Sequence, residues 1–423
     1  MRNWRWIALL CCAFALVIAG CGGDDDDDGG GGGDATKAPA ASADASGNVN
    51  WCIGKDTSGA YQAAIDLFKK ENPEVTVKLV ELPESADEQR AQLVQRLRAE
   101  SDECDVLGLD VIWTAEFAAQ GWLQDTSAII EPRKSDWIAS TLGTAEYEGK
   151  YWAVPYHTNA GFIYYRTDQV PELPTSWEDL YAEAGKNNGI VYQGFRYEGL
   201  TVNFLELLYS GGGKVLSDDG ETVEVDSPEG ETAVAFMADG IEKGDAPKAV
   251  TTYKEEESRR AFESGNATFM RNWPYAYSLG KESKIADDFD IGTFPSFEGG
   301  EPASVLGGFN LGISAYSQNP EGAAAFIDFA TSADAQAEGF LVSSSPPANA
   351  AAYDDPKVQK KYPFASDLKA AVEQGQSRPV SPVYSQISEA IYTNVHDALQ
   401  GKVSPKEAVT QMSDDIEKAL ETF

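Results

Sequence analysis

Val49-Asn50-Trp51-Cys52-Ile53 opens a segment that continues with Tyr61, Ala64, Ile65 and Phe68 at helical spacing, stops at Asn72-Pro73, and resumes as Val75-Thr76-Val77-Lys78-Leu79-Val80-Glu81-Leu82. An extended apolar run, an amphipathic helix and a second extended run thus follow one another. Leu93, Val94 and Leu97 mark another helix, and Val106 to Asp110 a third strand. Such alternation predicts an α/β sheet with mainly parallel strands, whose ligands sit beyond the carboxyl ends of those strands. Asp110 stands at such an end, either as a group facing a ligand or as the cap of a helix over 111–120.

Towards the amino end, Gly22 to Gly47 holds five consecutive aspartates, a glycine run and an Ala/Ser/Asp-rich tail. This composition cannot bury a core and predicts a flexible tether over 21–47. Asp24, Asp26, Asp28 and Gly29 imitate the start of a calcium loop, but the twelfth position is Ala35 rather than Glu. Before the tether come Arg2 and Arg5, an apolar run from Trp6 to Ile18, and Ala19-Gly20-Cys21. That order is an export signal over 1–20, and a Cys after Ala-Gly resembles the lipobox of bacterial lipoproteins. The expectation is cleavage before Cys21, lipid on its thiol, and a protein held at the outer face of the cell membrane.

The 423-residue chain is 42% hydrophobic and 11% aromatic, enough for two packed lobes. Its formal charge of -35 makes nucleic acid an unsuitable partner, since phosphate binding needs a basic surface. Once Cys11, Cys12 and Cys21 are set aside, Cys52 and Cys104 remain, each in or just before a strand-like run. In an exported protein they are a disulfide or a pair of buried thiols.

Further along, Tyr151 to Pro155 and Gly161 to Tyr165 read as strands on either side of Tyr156-His157-Thr158-Asn159, where a crossing between lobes is expected. Thr175 with Glu178 predicts a capping box and a helix to about Lys186, and Ser227-Pro228, Asn319-Pro320 and Ser404-Pro405 each open a helix. Phe269-Met270-Arg271-Asn272-Trp273-Pro274-Tyr275-Ala276-Tyr277 places aromatic rings at a bend fixed by Pro274. Its rings are core aromatics at a turn or a platform for a sugar, whose C–H face packs on a ring while its hydroxyls take hydrogen bonds.

Motifs of catalysis are mostly missing. There is no His-Glu-x-x-His, no Cys-x-x-Cys in the mature chain, no phosphate loop and no Gly-x-Ser-x-Gly elbow, and His157 and His396 are the two histidines. No cofactor or metal is expected. Arg90, Tyr197, Glu198, Gly307, Gly308, Phe309, Asn310 and Arg378 stand at turns between packed elements. Planar bidentate groups with close-approach glycines are what sugar hydroxyls require. The alternative is a secreted glycoside hydrolase with Asp110 and Glu198 as its carboxylate pair.

The chain resembles the bacterial extracellular solute-binding proteins of sugar-importing ABC transporters, from about Val49 onward. The resemblance rests on Asp87-Glu88-Gln89-Arg90, Asp105-Val106, Asp110-Val111, Gly121-Trp122-Leu123, Ala160-Gly161, Tyr164-Tyr165-Arg166, Tyr197-Glu198-Gly199, Arg271-Asn272-Trp273-Pro274-Tyr275-Ala276, Leu306-Gly307-Gly308 and Arg378-Pro379. Among these proteins the trehalose/maltose-binding members are most similar. The resemblance implies a two-lobe, type II periplasmic-binding-protein-like α/β fold with mixed, mainly parallel sheets flanked by helices and a ligand cleft at the hinge. The implied lobes are 48–157 with 303–345, and 158–302 with 346–423. It implies a monomeric, non-catalytic receptor for an α-linked glucose disaccharide, with ABC permease subunits as partners and a lipid anchor in the membrane. By position, Arg90 and Asp110 would bind hydroxyls from the first lobe, and Asn159, Trp273, Tyr275 and Arg378 from the second. Gly307, Gly308 and Phe309 would line the cleft, and Thr57, His157, Tyr197 and Glu198 are further candidates. The chain departs from those relatives at Asp56-Thr57-Ser58, which stands where they place a Glu, at Phe309 in place of a Trp, and at Asn159 in place of an Asp of some members. Intact-mass measurement of the mature protein from a membrane fraction is expected to give a chain that begins at Cys21 and carries lipid on it; an unmodified Cys21 would refute the anchor.

Overall fold

β1 (Gly47–Gly54), β2 (Val75–Leu82) and β3 (Val106–Asp110) form where the alternating pattern placed them. The computed structural model describes residues 36–422 apart from 218, 219 and 363. The signal, Cys21 and most of the expected tether therefore lie outside the described residues. β1 pairs in parallel with β2 and β3, and parallel neighbours need crossovers. The helices Ala60–Glu71 and Ala86–Arg98 supply them.

The remaining strands are a small hairpin of β4 (Glu146–Tyr147) and β5 (Lys150–Tyr151), then β6 (Val154–Ala160), β7 (Phe162–Arg166), β8 (Ile190–Val191), β9 (Phe269–Asn272), β10 (Phe289–Gly292) and β11 (Leu306–Ile313). A first sheet runs β2-β1-β3-β11-β6 and a second β10-β7-β9-β8. The sheets are mixed rather than mainly parallel. Parallel pairing is confined to β2-β1-β3 and β8-β9, whereas β11 runs antiparallel to β3 and β6, and β7 antiparallel to β9 and β10. In the first sheet the reason is that β11 returns only after the chain has formed the second sheet and is not delivered by a neighbouring βαβ unit.

Period-two alternation divides the side chains of the first sheet between two cores. Val49, Trp51, Ile53, Val106, Leu311 and Ile313 pack on one face with Phe68 and Phe326. Cys52, Leu107 and Leu109 pack on the other with Leu93, Leu97 and Phe117. The second sheet has its own core, which includes Phe162, Tyr164, Phe269 and Met270 with Phe204, Val234, Ile391 and Met412 from the helices around it. Each such apolar side chain, fully buried, contributes about 1.5–3 kcal/mol. Ser227, Asn319 and Ser404 cap their helices as expected, each side chain accepting a backbone N–H with Pro in the next position. The helix Trp177–Lys186 is capped by Ser176 and not by Thr175: the Ser176 hydroxyl accepts the Asp179 N–H at 3.1 Å.

Tyr156 to Asn159 lie within β6 and not in a connection between strands: His157, Thr158 and Asn159 are paired with β11, and Tyr156 sits where the register shifts. The chain crosses from the first sheet to the second at Gly161, between β6 and β7. A Cβ there would stand 2.5 Å from Glu206 Oε1 and 2.7 Å from Arg271 Nη2, so the crossing requires glycine. At the other end of the expected tether, the Ala38 N–H donates to the Asp125 carbonyl at 2.8 Å and Asp125 N–H to the Thr36 carbonyl at 3.0 Å. Residues 36–38 thus dock on the folded body, and Ala38 is buried.

Cys52 and Cys104 are joined in a disulfide with their Cα atoms 5.7 Å apart, stapling β1 to the segment that enters β3. Cross-linking residues this far apart in sequence removes unfolded-state entropy worth about 2–4 kcal/mol. Cys52→Ala with Cys104→Ala is expected to lower the unfolding free energy by about that amount, measured by denaturant unfolding. Loss of less than about 1 kcal/mol would mean that the bridge does not constrain the unfolded chain.

Candidate functional site

The register of the first sheet assembles one side of a cavity. Phe309 of β11 lies opposite Asp110 on one side and His157 on the other, and Gly307 lies opposite Asn159. Gly308 has φ +114°, and a Cβ on it would come within 2.2 Å of the His157 carbonyl, so only glycine lets β11 approach β6 here. The other side comes from the second sheet and its helices. There Trp273 follows β9, and Tyr197 and Glu198 stand at the start of the helix Glu198–Ser210. Between them is a cavity of about 180 Å³, lined by Asp110, Asn159, Tyr197, Glu198, Trp273, Gly307, Gly308, Phe309 and Arg378, all of which the sequence had singled out.

Trp273 is positioned from below and behind. Asn272 Oδ1 accepts its backbone N–H at 2.8 Å, and the Tyr164 hydroxyl donates to its carbonyl at 2.7 Å. The Arg271 guanidinium lies 4.0 Å from the indole centroid, a cation–π contact. Arg271 is itself paired with buried Glu206 and donates to Gln193 Oε1 at 3.0 Å. Burial raises the Glu206 carboxyl while Arg271 pulls it back. The indole therefore stands on a fixed cation, and a Cβ on Gly307 would lie 3.0 Å from its edge.

Arg378 joins the two walls. Its side chain is only 2% exposed; Nη2 donates to Asp110 Oδ1 at 2.6 Å and Nη1 to Glu198 Oε1 at 2.8 Å. The Tyr384 hydroxyl donates to the same Glu198 oxygen at 2.7 Å, and Ser388 to the other. Burial raises the Glu198 carboxyl to about 7, with Arg378 opposing and Asp110 adding. Across the walls, Asp87 Oδ2 accepts the Glu198 N–H at 3.3 Å. Asp110 and Glu198 thus share one guanidinium between them, and Glu198 spends its oxygens on protein donors.

Several expected residues lie elsewhere. Arg90 makes a two-bond pair with Glu116 and does not line the cavity; its neighbour Gln89 does. Gln89 shares a helical face with Leu93 and Leu97, spaced by fours, and all three are buried. A polar residue in the phase of an apolar face is the signal that could have pointed to it, and the sequence reading took Arg90 instead. Tyr275 opens the helix Tyr275–Lys281, and its hydroxyl donates to Glu256 at 2.8 Å, away from the cavity. Thr57 is exposed, while Asp56 beside it accepts the Ser58 and Tyr61 N–H groups and so starts the helix Ala60–Glu71. His157 sits behind Phe309, its ring 5.3 Å away, and its Nε2 meets the Tyr61 hydroxyl at 3.1 Å. Gly54, Lys55, Tyr61, Glu84 and Glu255 also line the cavity and had no signal in the local sequence.

Among the described residues, Asn159 Oδ1, Gln89 Oε1 and Arg378 Nε are buried with no hydrogen-bond partner. Three unpaired polar atoms around one cavity, beside an aromatic face, suit a neutral polyhydroxylated molecule, because each left unpaired costs about 1–3 kcal/mol. No group of His, Cys, Asp and Glu among the described residues is arranged to hold a metal.

Residues 54–337 match the bacterial extracellular solute-binding protein family. The chain belongs to this family. Its members are binding proteins and not enzymes, so the carboxylate-pair hydrolase reading falls, in keeping with the guanidinium that joins Asp110 and Glu198. A probable ABC transporter-binding protein of Deinococcus radiodurans is 34% identical over 81% of this chain and 86% of its own length. The maltose-bound MalE3 of T. maritima superposes with a TM-score of 0.84 at 34% identity, covering 88% of this chain and 99% of that one. The GacH receptor of Streptomyces glaucescens, solved unliganded and with acarbose, gives 0.79 at 26% identity over 89% and 99%. The fold of this solute-binding protein is accordingly the two-lobe, type II periplasmic-binding-protein fold, with helices flanking mixed sheets and the cleft at the hinge.

Burial holds the His157 imidazole down to about 4, with the Asp56 carboxylate opposing. The fold thus carries a neutral ring whose unfolded pKa is about 6.5. Its contribution is present in full above about pH 6.5 and is lost as pH falls through about 4. Compared with His157→Gln, the parent is expected to lose roughly 2–3 kcal/mol of unfolding free energy between these limits. Equal pH profiles of the two proteins in urea unfolding would show that the ring is not held neutral.

Proposed function

We propose that this chain is the sugar-binding receptor of an ABC importer and that its ligand is an α-linked glucose disaccharide, trehalose first among them. The observation that carries this reading is the cavity between Trp273 on one wall and Asp110, Asn159 and Gly307 on the other. Its aromatic face rests on a fixed cation, and unpaired buried amide oxygens converge beside it. The maltose bound by MalE3 of T. maritima supports the chemical class, and the name of the Deinococcus radiodurans relative supports the transporter. Trehalose and maltose both present glucose rings in α linkage, so one ring stacks on the indole while its hydroxyls meet Asn159, Gln89 and Arg378. Residues 48–157 with 303–345 and residues 158–302 with 346–423 act as the two lobes, and the closed form is the one the permease recognises. The receptor works as a monomer, tethered through lipid on Cys21.

Calorimetry is expected to show saturable trehalose binding and intact sugar afterwards, with no glucose released. Absence of heat with every α-glucoside tested would end the proposal. Trp273→Ala is expected to weaken binding by at least about 30-fold, the loss of an aromatic anchor worth about 2 kcal/mol. Unchanged affinity would place the ligand elsewhere.

A further inference from the structure

Behind the candidate site lies a second, smaller cavity of about 50 Å³. Tyr61 lines both cavities, with its two neighbours His157 and Phe309 completing the wall: His157 borders the rear space, and Phe309 the front. The phenol is held in place on several sides. Its hydroxyl meets His157 Nε2 at 3.1 Å, and its ring lies 5.0 Å from Trp51, 6.1 Å from Tyr156 and stacked at 6.1 Å on His157. Beyond it the rear cavity sets a few polar groups among apolar ones such as Ala335, Phe340 and Pro347. His157 Nδ1 and Gln336 Nε2 have no hydrogen-bond partner among the described residues, and Gln336 is only 5% exposed. The Asp56 carboxylate borders the same space. Its far wall includes Gly339 in the helix Ala333–Ser343, where an added Cβ would meet nothing within 4 Å.

An unpaired amide N–H of Gln336, an unpaired ring nitrogen of His157 and a carboxylate are groups that sugar hydroxyls can pair, as donors or as acceptors. Tyr61 is the one side chain common to the lining of this cavity and that of the site.

We propose that Tyr61 is a specificity-determining partition: it ends the sugar site at its present length, and its removal joins the rear cavity to the front as a subsite for an additional glucose unit. Taking away the phenol adds its own volume to the rear space and exposes His157 and Gln336 to the ligand. A third ring then gains hydrogen bonds that the parent withholds. This inference rests on the sugar-binding reading above.

Its test is calorimetry with maltose, trehalose and maltotriose on the parent, Tyr61→Ala, Tyr61→Leu, Gly339→Leu and the double variant Tyr61→Ala with Gly339→Leu. In Tyr61→Ala the maltotriose-to-maltose affinity ratio is expected to rise about tenfold, the worth of one or two new hydrogen bonds. Refilling the rear space with Gly339→Leu in that background should return the ratio to its parental value, whereas Gly339→Leu alone should leave it unchanged. Should Tyr61→Ala fail to melt cooperatively, Tyr61→Leu decides, since leucine keeps apolar contact with Trp51 while shortening the wall. An unchanged ratio in a folded Tyr61 variant overturns the partition. So does weaker maltose binding by Gly339→Leu alone, which would make the rear cavity part of the site already. If the parent binds none of the three sugars, the sugar-binding reading fails together with the partition; if it binds them and the ratio does not move, only the partition fails.

Discussion

The guanidinium of Arg378, shared between Asp110 and Glu198, is the contact on which the arrangement of the cleft depends. Burial penalises its charge, yet Asp110, Tyr384 and Glu198 together hold its pKa above the ordinary arginine value. Removing one member of such a buried set leaves the others uncompensated, at about 3–5 kcal/mol. Asp110 ends β3 of the first sheet and Glu198 opens a helix packed on the second, while Arg378 lies in the segment between the helices Ala365–Glu373 and Tyr384–Leu399, so the same ions that satisfy one another fix how the two walls face. A ligand entering the cavity meets a charge network already organised, with Arg378 Nε still free to donate.

The platform follows the same logic on a smaller scale. Trp273 is held by a chain of fixed groups, from Glu206 through Arg271 to the indole, and the crossover at Gly161 packs directly on that ion pair. The crossing of the chain and the orientation of the ring are therefore set by one buried pair. Rigid aromatic faces bind at low entropic cost, since little side-chain freedom is lost on contact.

How much of this was legible in the sequence depended on distance along the chain. β1, β2 and β3 were readable because period-two and 3.6-residue patterns are local, and the caps at Ser227, Asn319 and Ser404 because a cap and its proline are adjacent. Tyr156 to Asn159 read as a connection because polar residues interrupt the apolar pattern; in the fold the stretch lies between β11, about 150 residues away in sequence, and Pro346, whose carbonyl accepts the Thr158 N–H. Arg90 and Tyr275 were the more conspicuous residues of their motifs, but each found a nearby carboxylate, Glu116 and Glu256, and was turned out of the site. Gln89, less conspicuous, was left facing the cavity.

By itself the sequence determined the class of fold, the ring-bearing bend at Trp273-Pro274 and most of the polar set around it, because these depend on residue type and short-range spacing. The tertiary structure decided which side of each motif faces the cavity, which carboxylates are consumed by Arg271 and Arg378, and that Tyr61 stands between the two cavities. Those outcomes arise from pairings between residues far apart in the chain, where burial makes every unpaired charge or hydrogen-bonding group costly. Which partner each group takes is settled only when both sheets are in place.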